Sequence, residues 1–138
     1  MKLYLRRLVM VLGLVLFLGA AWSYAQTLRR GETMSLSVAE KRWGKRAFDS
    51  KIFREGSPEV RAQMAVDLIK SKIFLGKATS KVREDLGPQD GHFFSDYYPA
   101  YILNEGWKNR VDTWQLLFLI DHKQQIKEVV IHKNCCDE

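Results

Sequence analysis

Apolar residues recur at helical spacing in the middle of this chain and alternate with polar ones nearer its C-terminus. The helical stripe consists of Val60, Met64, Ala65, Leu68, Ile69 and Ile73. It follows Ser57-Pro58-Glu59, which combines a hydroxyl cap, a proline at the first helical position and an acid in the first turn. This pattern predicts a helix from about Pro58 to Lys72.

A weaker helical pattern precedes this segment. From Val38 to Phe53, apolar residues tend to repeat every four positions, with an interruption at Gly44. Residues 26–37 carry few apolar side chains. Residues 26–56 are therefore predicted to form a flexible lead-in that contains a possible helix.

A second, short helix is predicted after the long one. Thr79 or Ser80 can supply a hydroxyl cap, and the helix is expected to run over residues 81–86. Gly87 then ends it in the left-handed conformation that is open to glycine, and Pro88 prevents its continuation.

Beyond this point apolar residues recur with a period of two residues, which is typical of strands. The stretch Tyr97–Leu103 contains Pro99, which cannot donate a backbone hydrogen bond, so it is predicted to be an edge strand. An extended partner could add to such an edge. The runs Trp114–Asp121 and Ile126–Lys133 predict a hairpin with a turn between them.

The expected turn sets the register of the hairpin. We expect Asp121 to lie opposite Ile126, and Phe118 then faces Val129. One face would carry Trp114, Leu116, Phe118, Ile120, Val129 and Ile131. The chain is thus predicted to be α+β over residues 57–134, with two layers in which N-terminal helices pack on a three-stranded antiparallel meander.

Residues 1–25 have the three-part layout of a secretory signal. A basic start precedes the uncharged run Leu8–Trp22 and the small-residue end Ser23-Tyr24-Ala25. The run is shorter than the ~20 apolar residues that a spanning helix needs, although an uncleaved single-pass anchor stays as the alternative. We therefore expect a signal peptide and export to the periplasm or cell envelope.

The net charge does not point to nucleic acid. The formal charge is +6 at pH 7, but Lys2, Arg6 and Arg7 belong to the leader. Elsewhere basic residues are scattered among acids, as over residues 81–85, which is typical of a solvated face. No nucleic-acid partner is expected. Contact with a membrane is expected only through the N-terminal segment, if that segment is retained.

Two adjacent cysteines, Cys135 and Cys136, lie near the end of the chain. A disulfide between neighbouring residues is geometrically strained, and disulfide-stapled exported domains space their cysteines along the chain. Residues 135–138 are therefore predicted to be a tail with free or intermolecularly bonded thiols. Metal binding or redox chemistry is the alternative, although no C-x-x-C spacing or histidine partner supports it.

A family resemblance rests on two motifs that flank the predicted change from helices to strands. The first is Gly76-x-x-x-x-x-Val82-x-x-x-Leu86-Gly87, and the second is Trp114-x-Leu116-x-Phe118-x-Ile120-Asp121. Together they resemble the SmpA/OmlA-like domain of the outer-membrane assembly lipoprotein and of many small exported bacterial proteins. The motif Arg61-x-x-Met64-x-x-Asp67-Leu68 looks like that of a functionally undefined branch of the same family.

This resemblance covers roughly residues 58–133 and implies a fold rather than a site. Ala78 stands where the family usually has its capping threonine, and Thr79 comes one position later. Pro88 follows Gly87 directly, whereas one residue usually intervenes. The family's lipid-bearing cysteine is absent, so no binding residue is carried over.

Residue types that carry chemistry are present but do not form a recognised motif. His122 and His132 are placed at opposite ends of the predicted hairpin, roughly 20 Å or more apart at ~3.3 Å per residue. His92 lies in a loop with Asp90 and Asp96, which is typical of polar surface. No nucleophile motif, phosphate loop or metallohydrolase motif appears. No catalytic residue, metal or cofactor is predicted.

Aromatic residues crowd the predicted edge strand and its flanking loops. They are Phe93, Phe94, Tyr97, Tyr98, Tyr101 and Trp107. In one interpretation half belong to the core and the others shield the sheet edge. In the other they form a protein-contact patch, because tyrosine and tryptophan supply large, stiff contact area. The second interpretation assigns partner binding to Tyr97, Tyr98, Tyr101 and Trp107.

Two functions of different class remain open at this point. The favoured one is a non-enzymatic exported module that binds or assembles with another protein of the cell envelope. The alternative is an extracytoplasmic enzyme or thiol/redox protein that uses Cys135 and Cys136 or a site without a sequence signature.

Overall fold

The computed structural model describes residues 32–105 and 113–134, which form an antiparallel sheet with helices against one face. The helices are α1 (Leu36–Trp43), α2 (Ser50–Glu55), α3 (Pro58–Ser71) and α4 (Thr79–Leu86), and the strands are β1 (Thr33–Met34), β2 (Ala100–Asn104), β3 (Thr113–Ile120) and β4 (Ile126–Asn134). The predicted leader, Trp107 and the Cys135-Cys136 tail lie outside the described residues. The α+β class is confirmed.

The sheet has four strands in the order β1-β4-β3-β2, not the three of the predicted meander. Thr33 pairs with His132, and Met34 pairs with Ile131. The backbone N–H of Lys133 also donates to the carbonyl oxygen of Glu32 at 2.8 Å. Part of the predicted lead-in therefore forms an edge strand. So short a strand carries no readable period, so only its long-range pairing reveals it.

The central pairing of the hairpin agrees with the predicted register, whereas its turn differs by one residue. Phe118 lies opposite Val129 as expected. A bulge after Leu119 then brings Ile120, not Asp121, opposite Ile126. Asp121 instead accepts hydrogen bonds through Oδ1 from two backbone N–H groups of the turn. These bonds favour a tighter turn than simple alternation predicts.

The bounds of the long helix agree closely with the prediction, and the others differ at their ends. The predicted hydroxyl cap of the long helix is wrong, because Ser57 is its N-cap residue but makes no side-chain capping hydrogen bond. The pattern around Gly44 forms two helices, α1 and α2, because Gly44 ends α1 at φ +83° and Asp49 caps α2 through its side chain. Helix α4 starts at Thr79, earlier than expected, and its N-cap is Ala78. The predicted hydroxyl cap is wrong here, since Ala78 is positioned by a backbone bridge to Gln125.

Four aromatic rings connect the helices to the sheet. Phe53 of α2 meets Tyr101 of β2 edge to face at 5.7 Å between ring centroids, and Phe74 meets Phe118 of β3 at 5.6 Å. Tyr101 and Phe118 are themselves in contact at 6.0 Å. Such edge-to-face pairs contribute beyond their buried area, so this cluster fixes the helical layer on the sheet.

The other face of the sheet is also covered, which the predicted pattern did not include. Every residue of β3 from Thr113 to Leu119 is buried. On this second face Leu117 and Leu119 pack with Phe93 and Ala100. An uninterrupted apolar run such as residues 116–120 is typical of a strand that is buried on both faces. In the described part of the chain, no helix is long and apolar enough to span a membrane.

Candidate functional site: an aromatic contact loop

The cover of the second sheet face is the segment of residues 88–99, which we call the aromatic loop. It connects α4 to β2 and has no regular structure of its own. Phe93 fixes its centre, because this side chain is only 9% exposed and packs on the sheet. The Phe93 ring meets Tyr98 at 5.4 Å and the His132 imidazole at 4.9 Å.

A buried amide ties the loop to the middle of β3. The Gln115 side chain accepts a hydrogen bond from His92 N at 3.1 Å and donates to His92 O at 2.8 Å. Its Nε2 also lies 3.3 Å from Nδ1 of the buried His132. A Cβ on Gly91 would lie 2.6 Å from the Gln115 amide oxygen, so this close approach requires glycine.

A carboxylate ties the start of the loop to the edge of the sheet. Asp90 accepts from Arg61 Nη1 at 2.5 Å through one oxygen and from Ile102 N at 2.9 Å through the other. Gly91 N donates to Ala100 O at 3.0 Å. Ile102 N and Ala100 O, two outward-facing backbone groups of β2, are thus already bonded. The idea that an extended partner adds to this edge is therefore wrong at these positions.

Helix α4 contacts the loop near its start and near its end through one arginine. Nη2 of Arg83 donates to the Gln89 side chain at 3.1 Å and to the carbonyl oxygen of Asp96. Tyr98 N donates to Ser95 O at 3.3 Å within the loop itself. Together with Asp90, Gln115 and Phe93, these contacts give the loop one defined shape.

This shape places two large aromatic side chains in solvent. Phe94 is 67% exposed and Tyr97 is 64% exposed. Phe94 has φ of +51°, a left-handed conformation that is costly for a bulky residue. The turn that buries Phe93 therefore directs its neighbour outward, at the expense of backbone strain.

The three tyrosines predicted for partner contact do not share one surface. Tyr97 is exposed and Tyr98 is half-buried. Tyr101 is fully buried, and its hydroxyl donates to Gly87 O at 2.8 Å. Burial raises the pKa of Tyr101 to about 12. Tyr101 is therefore a core residue and is removed from the predicted patch, whereas Trp107 lies outside the described residues.

Phe94 takes the place of Tyr101 among the aromatic side chains that are exposed and could contact a partner. The sequence places Phe94 in the aromatic cluster but does not tell which ring of the pair Phe93-Phe94 is buried, and in the structure the two rings meet edge to face at 4.6 Å between centroids. The supporting residues Asp90 and Gln115 carried no sequence signal, because the partners of each lie far away along the chain.

An open polar groove of about 1100 Å³ borders the loop. Its lining includes Arg83, Asp90, His92, Asp96 and Tyr97. His92 Nδ1 lies 4.0 Å from Asp96 Oδ1, and both side chains are exposed. Within residues 32–105 and 113–134, no group of three histidine, cysteine, aspartate or glutamate side chains is placed to hold a metal ion.

Comparisons with known proteins give no information about this site. No family model, curated protein or solved structure matches this chain. What defines the site is a constrained loop that presents Phe94 and Tyr97 beside a charged groove.

Proposed function

We propose that this chain is a non-enzymatic binding module of the cell envelope and that its aromatic loop contacts another envelope protein. The observation that carries the proposal is the exposure of Phe94 and Tyr97 on a loop whose backbone is fixed by buried contacts. The aromatic loop is also the segment in which sequence and geometry both concentrate aromatic area.

The energetics of the loop favour contact with a protein surface. Stiff aromatic side chains that are already positioned lose little conformational entropy on binding, and they dominate protein interfaces. The left-handed backbone at Phe94 belongs to the turn that buries Phe93 and leaves the Phe94 ring exposed, and strained backbone of this kind is common at binding sites. A polar groove with Arg83 and Asp96 beside the rings supplies the charged rim that such interfaces use.

The envelope location rests on the leader. Mass spectrometry of the native protein should find Gln26, or its cyclised form, as the first residue. An intact Met1 in the membrane fraction would indicate the retained anchor, which still places the domain outside the cytosol. A soluble cytosolic protein that starts at Met1 would contradict the envelope location.

The contact surface is tested by cross-linking in the native cell. A photo-reactive amino acid at position 94 or 97 should give one defined protein adduct. Val38, which is 53% exposed on α1, is the matched control position and should not give this adduct. The same adduct from all three positions, or none from the loop, would contradict the proposal.

Affinity for the partner identified in this way then tests the energetics. Phe94→Ala and Tyr97→Ala should each weaken binding by about 1–2 kcal/mol or more, and Val38→Ala should not. Trp107→Ala is expected to act in the same direction. All four variants should remain folded. Unchanged affinity in both loop variants would show that the loop is not the contact surface.

A further inference from the structure

A second exposed apolar feature lies at the turn between α3 and α4. We call the segment Lys72–Lys77 the lysine turn. Ile73 is 38% exposed and Leu75 is 41% exposed, while Phe74 between them is buried at 2%. Alternation of this kind directs two aliphatic side chains outward from one buried anchor.

The lysine turn is held rigidly against the β3–β4 hairpin. Leu75 N donates to Lys72 O at 3.1 Å inside the turn. Gly76 N donates to Ile126 O at 2.7 Å, and Ile126 N donates back to Lys77 O at 2.8 Å. The exposure of Ile73 and Leu75 is therefore imposed by backbone pairing.

Basic side chains border these two residues. Lys72 and Lys127 line a small groove of about 170 Å³ with Leu75, and the Lys77 ammonium lies 5.6 Å from the Phe74 ring centroid. Among the described residues, Lys72, Lys77 and Lys127 form no ion pair. Glu128 is the acidic residue that lines this groove, and it already has an interaction partner.

The chemistry of this surface fits a lipid better than a protein. Protein interfaces are depleted in lysine and enriched in aromatic residues, whereas the lysine turn has aliphatic tips and a lysine border. Lysine keeps its ammonium at a membrane surface while its alkyl stem covers apolar area. Anionic headgroups attract basic clusters, and partly buried aliphatic side chains add apolar contact.

We propose that the lysine turn contacts an anionic bilayer surface, with Ile73 and Leu75 entering the headgroup boundary and Lys72, Lys77 and Lys127 contacting lipid phosphates. The contact is weak and reversible, because only two aliphatic side chains are available for insertion. It uses a different surface from the aromatic loop and does not depend on the proposed function.

A local probe tests this in the full chain, whatever the N-terminal segment does. An environment-sensitive fluorescent amino acid at position 75 should shift its emission to the blue with vesicles of phosphatidylcholine and phosphatidylglycerol. Vesicles of phosphatidylcholine alone should give no shift, and high salt should abolish it because screening removes the charge attraction. The same label at position 38 is the matched control and should not shift.

Charge-reversal variants distinguish vesicle binding through the lysine turn from non-specific electrostatic binding of the protein. Lys72→Glu with Lys77→Glu should abolish the shift at position 75. Lys41→Glu in α1 with Lys45→Glu just after it should leave the shift unchanged. Both double variants should remain folded, and the loss of the Lys77 contact with the Phe74 ring should lower the melting temperature only slightly. The proposal is overturned if position 75 does not shift, if it shifts equally with phosphatidylcholine alone, if position 38 shifts as much, or if the turn variant still shifts.

Discussion

The side-chain amide of Gln115 pairs with the backbone of His92 as a neighbouring strand would, accepting from His92 N at 3.1 Å and donating to His92 O at 2.8 Å. This pair gives an irregular loop the hydrogen bonding of a sheet edge. It is the central polar link between the aromatic loop and the core, because Gln115 is fully buried.

Gln115→Leu keeps the volume of the side chain but removes both bonds. The partly buried hydrogen bonds to the backbone of His92 would be lost, so the free energy of unfolding should fall by about 1–3 kcal/mol. Urea melts measure this loss, and hydrogen exchange should accelerate over residues 91–96. Gln63→Leu, at an exposed position of α3, is the matched control and should stay within about 0.5 kcal/mol. Equal losses in the two variants would contradict the role of Gln115.

Phe118→Ala tests the helix-facing core. The ring is fully buried and contacts Phe74 and Tyr101, so its removal should cost about 3–5 kcal/mol of unfolding free energy. Phe94→Ala removes the same group from a mostly exposed position where the ring contacts only Phe93 among the described rings, and it should cost much less, about 1 kcal/mol or below. If urea melts show that Phe118→Ala lowers the free energy of unfolding by less than about 1 kcal/mol, packing of this ring does not stabilise the core as proposed.

Tyr101 should give the protein a dependence on alkaline pH. Its pKa in the folded state is raised to about 12 by burial, whereas an unfolded tyrosine ionises near 10. The folded state therefore retains the proton more strongly. The associated stability is fully present below pH 10 and is lost as pH rises from about 10 towards 12.

Tyr101→Phe isolates this contribution. At neutral pH the variant should lose about 0.5–1.5 kcal/mol, since Gly87 O loses its hydrogen bond. Above pH 10 the parent should lose stability faster than the variant, because lysine deprotonation is common to both. Unfolding free energies measured from pH 8 to 11 check this. Parallel pH profiles would show that the phenol is not buried.

Asp90→Ala should expose the edge of the sheet. Without the carboxylate, Ile102 N loses its acceptor and Arg61 loses its ion pair. Unprotected edges invite strand pairing between molecules, so sedimentation velocity should show self-association that rises with concentration. Asp90→Asn retains an acceptor oxygen for Ile102 N and should stay closer to the parent. Identical sedimentation of all three proteins would show that Asp90 does not protect the edge.

Elements with a strong local period could be read from the chain without its structure. Helix α3, the β3–β4 hairpin and the pairing of Phe118 with Val129 follow from apolar spacing and from residues that start or stop an element. The α+β class follows from the same signals. Each depends on neighbours along the chain, which is why a pattern can encode it.

Only the tertiary structure decided the features that depend on distant partners. Strand β1 exists because β4 accepts it, and Ala78 caps α4 because Gln125 holds its backbone. The same holds for the site. Composition indicated an aromatic cluster, but packing against β3 separated buried Tyr101 from exposed Phe94. The sequence around an aromatic residue does not tell whether its side chain will be buried. Which of these side chains are buried and which are exposed is therefore decided by tertiary packing alone.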